Sequence, residues 1–169
     1  MGAGATLPPV PLDDAALELV RAASGLAVDD EGRFLHRGEP ITHARTLEVL
    51  WRSLARGEDG RYRVTVGREV AYVEVGETPW VVRGLLLEGP AHPSVLLAGG
   101  GSEPLDPSTL SVGADGVLRC RVRGGERARF ARSAQVALGL SLEEDPAGAG
   151  GYVLRLSGVC WKVRGEPPP

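Results

Sequence analysis

The stretch from Val28 to Trp80 most constrains the fold of this chain, because glycine turns separate short runs of residues there. Two runs that flank Gly67-Arg68 alternate apolar and polar residues, as a strand with one buried face does. An earlier run places its apolar residues at three- and four-residue steps, which predicts a helix with one buried face: Leu47, Leu50, Trp51 and Leu54. The stretch therefore predicts a hairpin, a helix and paired strands.

A weaker copy of this stretch runs from Val112 to Val163. In both, a turn with an acidic residue and glycine precedes a hairpin, and Thr42 or Ser133 then caps a helix. A strand with tyrosine near its start follows in each. We therefore expect an α+β fold with two related units, each a helix packed on a small antiparallel sheet.

The run GGGSEPLDPS is the strongest linker signal, so we place the boundary between the units there. The predicted division is a flexible N-terminus, an N-terminal unit with a leading helix, a linker, a C-terminal unit and a flexible tail. These segments cover residues 1–11, 12–98, 99–108, 109–165 and 166–169.

Composition bounds the class of protein. Charged residues make up 24% and apolar residues 43%, which is ordinary for a globular protein, and the net charge is −3. This near-neutral charge argues against attraction to nucleic acid or to an anionic membrane. No apolar run approaches membrane-spanning length, and the N-terminus lacks a signal-peptide pattern. We expect a cytoplasmic protein.

The segment from Arg119 to Arg132 holds six arginines and one acid, Glu126. Alternation on two strands separates these arginines from an apolar set, and a three-residue loop, Gly124-Gly125-Glu126, keeps the two sets apart. This loop would pair Arg123 with Arg127 and Arg121 with Arg129. The residues then predicted to face the core are Cys120, Val122, Ala128 and Phe130.

Guanidinium groups on one face repel one another unless nearby anions neutralise their charge. The arginine face could bind a phosphate or an acidic partner, because guanidinium groups match such anions in bidentate fashion. Alternatively, acids of the chain pair with them, either Glu143, Glu144 and Asp145 or those of the first unit, or the arginines lie solvated. The candidate ligand contacts are Arg119, Arg121, Arg129 and Arg132.

No constellation for catalysis emerges. The three histidines stand in no metal-ligand spacing, the two cysteines in no metal or redox spacing, and no serine in a nucleophile motif. Glu69, Glu74 and Glu77 could form a carboxylate cluster, but a solvated strand edge is the favoured interpretation. We therefore expect no enzyme activity, no metal and no cofactor. The histidines and cysteines concerned are His36, His43, His92, Cys120 and Cys160.

Four runs carry a family resemblance: GRFLHRGEPI, DGRYRVTVGREVAYVEV followed by ETPW, VRGGERARFARSA, and GYVLRLSGVCW. Their ordered series resembles the bacterial domain of unknown function 1285, over about Val28 to Val163. The resemblance implies two related small domains, the second superficially like a pleckstrin-homology domain, without established enzyme activity. It also implies a nucleotide-like ligand between the domains and a role in signal transduction. The chain departs from the family at Gln135, Val136 and Leu156, where the family carries aromatics.

Two functions follow as hypotheses. The first is a non-catalytic ligand-binding or signalling module that binds a small, nucleotide-like anion in the cleft between the units. The alternative is an adaptor that binds an acidic protein partner through the arginine face. A nucleic-acid partner is disfavoured, because only 5% of residues are aromatic and stacking platforms need more of them.

Overall fold

Two mixed β-sheets and three α-helices make up the computed structural model, which describes residues 14–87, 93–139, 141–145, 151–156 and 159–166. The predicted N-terminal segment, residues 1–11, and most of the predicted tail, residues 167–169, lie outside this described part. No helix in these ranges is long and apolar enough to cross a membrane.

The first sheet has six strands in the order β3-β2-β1-β6-β5-β4. Its central pair, β1 and β6, is parallel, and its other neighbours are antiparallel. The turn from β2 to β3 places Arg37 at φ 52° and Gly38 at φ 85°, as a tight two-residue hairpin requires. The strands are β1 (Leu26–Val28), β2 (Phe34–His36), β3 (Glu39–Pro40), β4 (Ala55–Arg56), β5 (Tyr62–Val66) and β6 (Glu69–Val75).

The second sheet has nine strands in the order β13-β14-β15-β10-β11-β12-β7-β8-β9. The pairs β10 with β15 and β12 with β7 are parallel. The strands are β7 (Val81–Leu87), β8 (Pro93–Leu97), β9 (Ser102–Pro104), β10 (Ser111–Val112), β11 (Leu118–Val122), β12 (Glu126–Phe130), β13 (Leu142–Glu144), β14 (Tyr152–Leu156) and β15 (Val159–Gly165).

The helices are α1 (Asp14–Ala22), α2 (Ala44–Ser53) and α3 (Arg132–Gly139), with a short 3-10 helix over Pro107–Thr109. The predicted apolar face of α2 is confirmed, since Leu50, Trp51 and Leu54 are buried and Leu47 packs against the core. The N-cap of α2 is His43, whose Nδ1 accepts from Thr46 N at 3.3 Å, and not Thr42 as predicted. Similarly, α3 begins at Arg132, so the predicted cap Ser133 lies inside its first turn.

A single hydrophobic cluster extends through both sheets. In the first sheet and α2, Phe34 meets Trp51 edge to face with ring centroids 4.7 Å apart, and Trp51 lies 6.1 Å from Trp80. Val82, Phe130 and Leu154 of the second sheet are at most 1% exposed within the same cluster. The two sheets therefore share one core.

The close approach of the two sheets depends on Gly32. Its φ is +69°, and a Cβ there would lie 2.9 Å from the Cβ of Val81 and would also overlap the Cβ of Ala98. Only glycine fits such a turn at this spacing. Arg83 of β7 also donates to the carbonyl oxygen of Glu31, at 3.0 Å from Nη2 and 3.2 Å from Nε, which ties the first sheet's loop to the second sheet.

The predicted α+β class is wrong. The chain is β-rich, and its two large sheets are mixed rather than small and antiparallel. Several strands have only two or three residues, too few to display an alternating pattern, so the sequence does not reveal them. They include β1, β4, β10 and β13, two of which make the parallel pairings that build the sheets.

The strand connectivity has a regularity. Strands β1 to β6 and β10 to β15 are arranged in the same spatial order, and each series carries a helix between its third and fourth strands. The division of the chain into two units and the duplication behind it stay predictions. Ser102–Pro104, within the predicted linker, pairs with β8 as β9.

Candidate ligand site at the junction of the two sheets

The hairpin of β11 and β12 positions the predicted arginine face. Arg121 pairs with Arg127 and Arg119 with Arg129, so the predicted register is wrong by two residues. The loop does have three residues, but they run from Arg123 to Gly125, with φ values of 46°, 73° and 122°. Arg123 adopts the left-handed conformation and takes the first loop position. Glu126, which the sequence places in the loop, is therefore the first residue of β12.

The predicted core face is confirmed, because the register error preserves strand parity. Cys120, Val122, Ala128 and Phe130 are each at most 4% exposed. Burial raises the pKa of the Cys120 thiol to about 12, so this cysteine stays protonated and is a poor nucleophile at neutral pH.

Arg119 is buried, and every N–H of its guanidinium has an acceptor. Nε and Nη2 donate to Glu77 at 2.5 and 2.9 Å, while Nη1 and Nη2 donate to Asp115 at 3.0 and 2.7 Å. The fifth N–H, on Nη1, donates to the carbonyl oxygen of Val117 at 3.0 Å. An arginine has five donors, so a ligand that contacts Arg119 must displace one of these partners.

Arg127 extends the network. Its Nε lies 3.1 Å from Glu77 Oε1, and its Nη2 contacts the carboxylate of Glu166, which also accepts from the Ser111 hydroxyl at 2.6 Å. The Arg127 side chain is 42% exposed, and its Nη1 has no partner within the described ranges. Arg127 thus keeps donor capacity that Arg119 lacks.

Arg129 pairs with an acid of the first sheet's loop region, since its Nη1 lies 2.5 Å from Asp30 Oδ1. Its side chain is 17% exposed, and its Nε is buried without a hydrogen bond in the described structure. This pair and the bridge through Glu77 join the arginines of the second sheet to residues 12–98. Acids of the predicted first unit therefore form ion pairs with three arginines, Arg119, Arg127 and Arg129, as one of the alternatives from the sequence holds.

Two of the four candidate ligand contacts lie away from this network. Arg121 is exposed, and its Nη1 donates to the carbonyl oxygen of Gly125 at 3.0 Å. Arg132 begins α3, is exposed, and meets no partner in the part of the chain that the structure describes. The structure brings Arg119 and Arg129 to the junction but not Arg121 and Arg132.

A polar cavity of about 670 Å³ opens at this junction. Two of its lining residues are cationic and three are anionic, so the lining carries a formal charge of −1. Glu77 comes from the segment between β6 and β7, while the other lining residues belong to the β10 to β15 region. The lining residues are Glu77, Gly113, Ala114, Asp115, Arg119, Arg127 and Glu166.

Hydrogen bonds fix the charge state of this lining. The Arg119 guanidinium lowers the pKa of both Glu77 and Asp115, and both carboxylates raise the pKa of Arg119. Desolvation opposes these shifts but is the smaller effect. The carboxylates are therefore ionised at neutral pH, and they cannot supply a proton as a general acid must.

Sequence reasoning missed the acids of this site. Asp115 stands four residues before Arg119, a spacing that could have suggested the pair, and Glu77 is half-buried rather than a solvated edge residue. Glu166 falls in the predicted tail, and no pattern in the sequence connects it to Arg127. Within the described ranges, no group of three or more His, Cys, Asp or Glu side chains could hold a metal ion.

No protein-family model and no curated protein matches the sequence. Two crystal structures of DUF1285 family proteins are similar in fold. One, from Silicibacter pomeroyi DSS-3, has a TM-score of 0.63 and 19% identity, over 83% of this chain and 80% of that chain. The other, from Shewanella baltica OS155, has a TM-score of 0.56 and 14% identity, over 69% of this chain and 91% of that chain.

These structures confirm the resemblance to domain of unknown function 1285 at the level of the fold. The internal duplication and the likeness of the second half to a pleckstrin-homology domain stay predictions. The fold of this chain is therefore that of the domain of unknown function 1285 proteins, the family that its sequence resembles.

Proposed function

We propose that the chain is a cytoplasmic, non-catalytic ligand-binding module that uses the polar cavity at the junction of its sheets. The observation that carries this proposal is the cavity itself, which has room for a small molecule and presents charged groups from both sides of the junction. A ligand held there would bridge the first-sheet region and the β10 to β15 region, which suits a signalling role.

The anionic part of the ligand meets Arg127. Arg119 has no donor to spare, whereas Arg127 is half-exposed and keeps Nη1 uncommitted among the described residues. A phosphate or carboxylate group placed beside Arg127 would accept hydrogen bonds from this free end.

The rest of the ligand carries donor groups. Because the lining has a formal charge of −1, a bare anion gains little there, and hydroxyl or amino groups are needed to face the carboxylates. A nucleoside monophosphate has both parts: a phosphate for Arg127, and ribose hydroxyl or base amino groups for Asp115 and Glu166. The nucleotide-like anion expected from the sequence is therefore the ligand class that we propose.

A thermal-shift titration with the common nucleoside monophosphates tests this function. Ligand at about ten times its Kd stabilises the folded chain by about 1.4 kcal/mol, which corresponds to a rise of about 3–6 °C in Tm. Ala114 is exposed at the cavity, so Ala114→Trp should fill it without breaking an ion pair. Ala137→Trp, at an exposed position of α3 away from the cavity, is the matched control.

The proposal predicts a rise in Tm for the wild type and Ala137→Trp that Ala114→Trp abolishes. A flat Tm across all nucleotides, or an equal rise in both tryptophan variants, would count against this cavity as the site. Inorganic phosphate alone should give a smaller rise, because it lacks donors for the carboxylates.

The exposure of Arg121 and Arg132 favours a second candidate, an adaptor that binds an acidic protein partner. Neither guanidinium is paired with a carboxylate in the described structure, so both could meet acidic side chains of another protein. Anisotropy with a labelled polyglutamate peptide tests it. Arg121→Glu and Arg132→Glu should abolish binding that Arg63→Glu, an exposed change on β5, retains; equal binding by all three removes this surface from the account.

A further inference from the structure

A second cavity, separate from the junction, lies where the β2–β3 hairpin and α2 meet β7 and β8. Its volume is about 260 Å³. Most of its lining is an apolar and aromatic wall, and two arginines also line it. The lining residues are Gly32, Arg33, Phe34, Pro40, Ile41, Thr42, Leu47, Trp51, Arg83 and Ala98, and none of them is acidic.

The electrostatics of this cavity differ from those of the junction. Arg83 donates only to backbone carbonyl oxygens within the described ranges, those of Glu31 and Gly32, so no carboxylate neutralises its charge there. Arg33 uses Nε for Asp29 at 2.7 Å and keeps both Nη atoms uncommitted among the described residues. The cavity therefore presents a net positive end.

Helix α2 adds to this positive end. Thr42 lines the cavity directly before His43, the N-cap, and the first turn of α2 contains no acidic residue. The positive end of the helix dipole is thus left for an outside anion. The helix end alone does not identify a site, but here it lies at a cavity that two guanidinium groups also line.

The apolar wall determines what else the ligand must carry. Phe34 and Trp51 are at most 7% exposed and meet edge to face, while Ile41 and Leu47 pack against the same core. A cavity of about 150 Å³ with apolar walls holds benzene, so this one has room for a single ring and a charged substituent.

We propose that this cavity is a second ligand site, which takes a small aromatic anion such as an aryl carboxylate or aryl phosphate. The ring lies against the Phe34, Leu47 and Trp51 wall, and the anionic group meets Arg33 and Arg83. The site is too small for a nucleoside monophosphate, so it and the junction cavity would bind different ligands. All of its lining residues lie between residues 32 and 98.

Amide chemical shifts recorded during titration with phenyl phosphate test the site. The expected result is a saturable shift at Gly32, Thr42 and Ala98, whereas inorganic phosphate and phenol each bind about tenfold more weakly because each lacks one half of the ligand. Arg83→Gln should weaken phenyl phosphate by about tenfold, and Arg33→Gln likewise, while Arg63→Gln on exposed β5 leaves the affinity unchanged.

Two results of the phenyl phosphate titration would overturn the site. One is the absence of shifts at these amides at millimolar phenyl phosphate; the other is an unchanged affinity in both Arg33→Gln and Arg83→Gln, each verified as folded by its melting curve. Ala114→Trp separates this site from the junction, since it should block nucleotides and leave phenyl phosphate binding intact. A loss of phenyl phosphate binding in that variant would also contradict the proposal.

Discussion

Glu77 is the residue on which the junction network converges. It accepts two hydrogen bonds from Arg119 and lies 3.1 Å from Arg127 Nε, yet its side chain is still 26% exposed. Breaking a partly buried ion pair costs more than an exposed pair contributes, because the partner's charge is left without compensation. Removing this one carboxylate should therefore weaken both pairings at once, leaving Arg119 with Asp115 and Arg127 with Glu166 as their remaining carboxylate partners.

The space around Arg119 is tight at Gly113. A Cβ on Gly113 would overlap Arg119 Nη1 and lie 2.5 Å from Asp115 Oδ1. We predict that Gly113→Ala displaces the guanidinium and lowers the free energy of unfolding by about 1–3 kcal/mol. Urea unfolding measures this, with Gly139→Ala as the control, since nothing lies within 4 Å of a Cβ there. Equal effects in the two variants would show that Arg119 is not held in place.

The carboxylate of Glu77 should make stability depend on pH. Its pKa is lowered in the folded chain, chiefly by the hydrogen bonds from Arg119, relative to an unfolded value of about 4.3. A lowered pKa stabilises the fold above the unfolded pKa, and this contribution is lost as pH falls through the folded pKa. We predict that the difference in free energy of unfolding between wild type and Glu77→Gln has its full value at neutral pH and decreases below about pH 4.

Urea unfolding of both proteins across this pH range checks the prediction. The variant Glu39→Gln, at an exposed position of β3, serves as the control and should differ little from the wild type throughout. A free-energy difference for Glu77→Gln that stays constant from neutral to acid pH would mean that the charge of the carboxylate does not contribute to stability.

At the scale of elements, the parallel pairing of β7 with β12 holds the junction together. Thr78, which is only 4% exposed, lies just before β7, and its hydroxyl donates to the carbonyl oxygen of Arg127 at 2.5 Å and accepts from Trp80 N at 3.2 Å. This side chain therefore pins the start of β7 beside β12.

The near-isosteric change Thr78→Val removes both hydrogen bonds and leaves a buried carbonyl oxygen and a buried N–H without them. We predict a loss of about 1–3 kcal/mol in the free energy of unfolding, measured by urea denaturation. Thr65→Val, at an exposed position of β5, makes the same change in a strand and should be nearly neutral. Similar losses at both positions would argue that the Thr78 hydroxyl does not fasten the two strands.

The elements that the sequence predicts correctly are those with long patterns. The face of α2, the strands that flank Gly67-Arg68 and the core face of β11 each rest on repeated spacing. The register of β11 with β12 could not be predicted, because loops of Arg123–Gly125 and of Gly124–Glu126 keep the same side chains on the core face. The choice depends on the positive φ of Arg123, and its guanidinium then lies 4.3 Å from the Trp80 ring centroid.

At the scale of the whole molecule, acids of the chain itself pair with three arginines of the arginine face, Arg119, Arg127 and Arg129. The sequence shows an excess of positive charge between Arg119 and Arg132. One acidic partner, Asp115, is close in sequence, but the others are far away along the chain, at Asp30, Glu77 and Glu166. Such long-range pairs follow from how β12 joins β7, and the parallel pairing itself has no local signature in the sequence. The cluster of arginines is thus visible in the sequence, but its distant acidic partners are not.

This internal pairing also shapes the proposed ligand site. The two sheets share one core, and the ion pairs at their junction surround a polar cavity instead of filling it. The network around Glu77 and Arg119 therefore both supports the junction and frames the proposed ligand site.

A double-mutant cycle between Glu77→Gln and Arg119→Gln, measured by urea unfolding, tests this claim most directly. We predict a coupling free energy of about 1–3 kcal/mol, because the two side chains share two hydrogen bonds at a partly buried site. The exposed pair of Glu48 and Arg52 should give only about 0.3–0.5 kcal/mol in the same cycle. A coupling free energy between Glu77 and Arg119 no larger than that of the exposed pair would show that this ion pair does not support the junction.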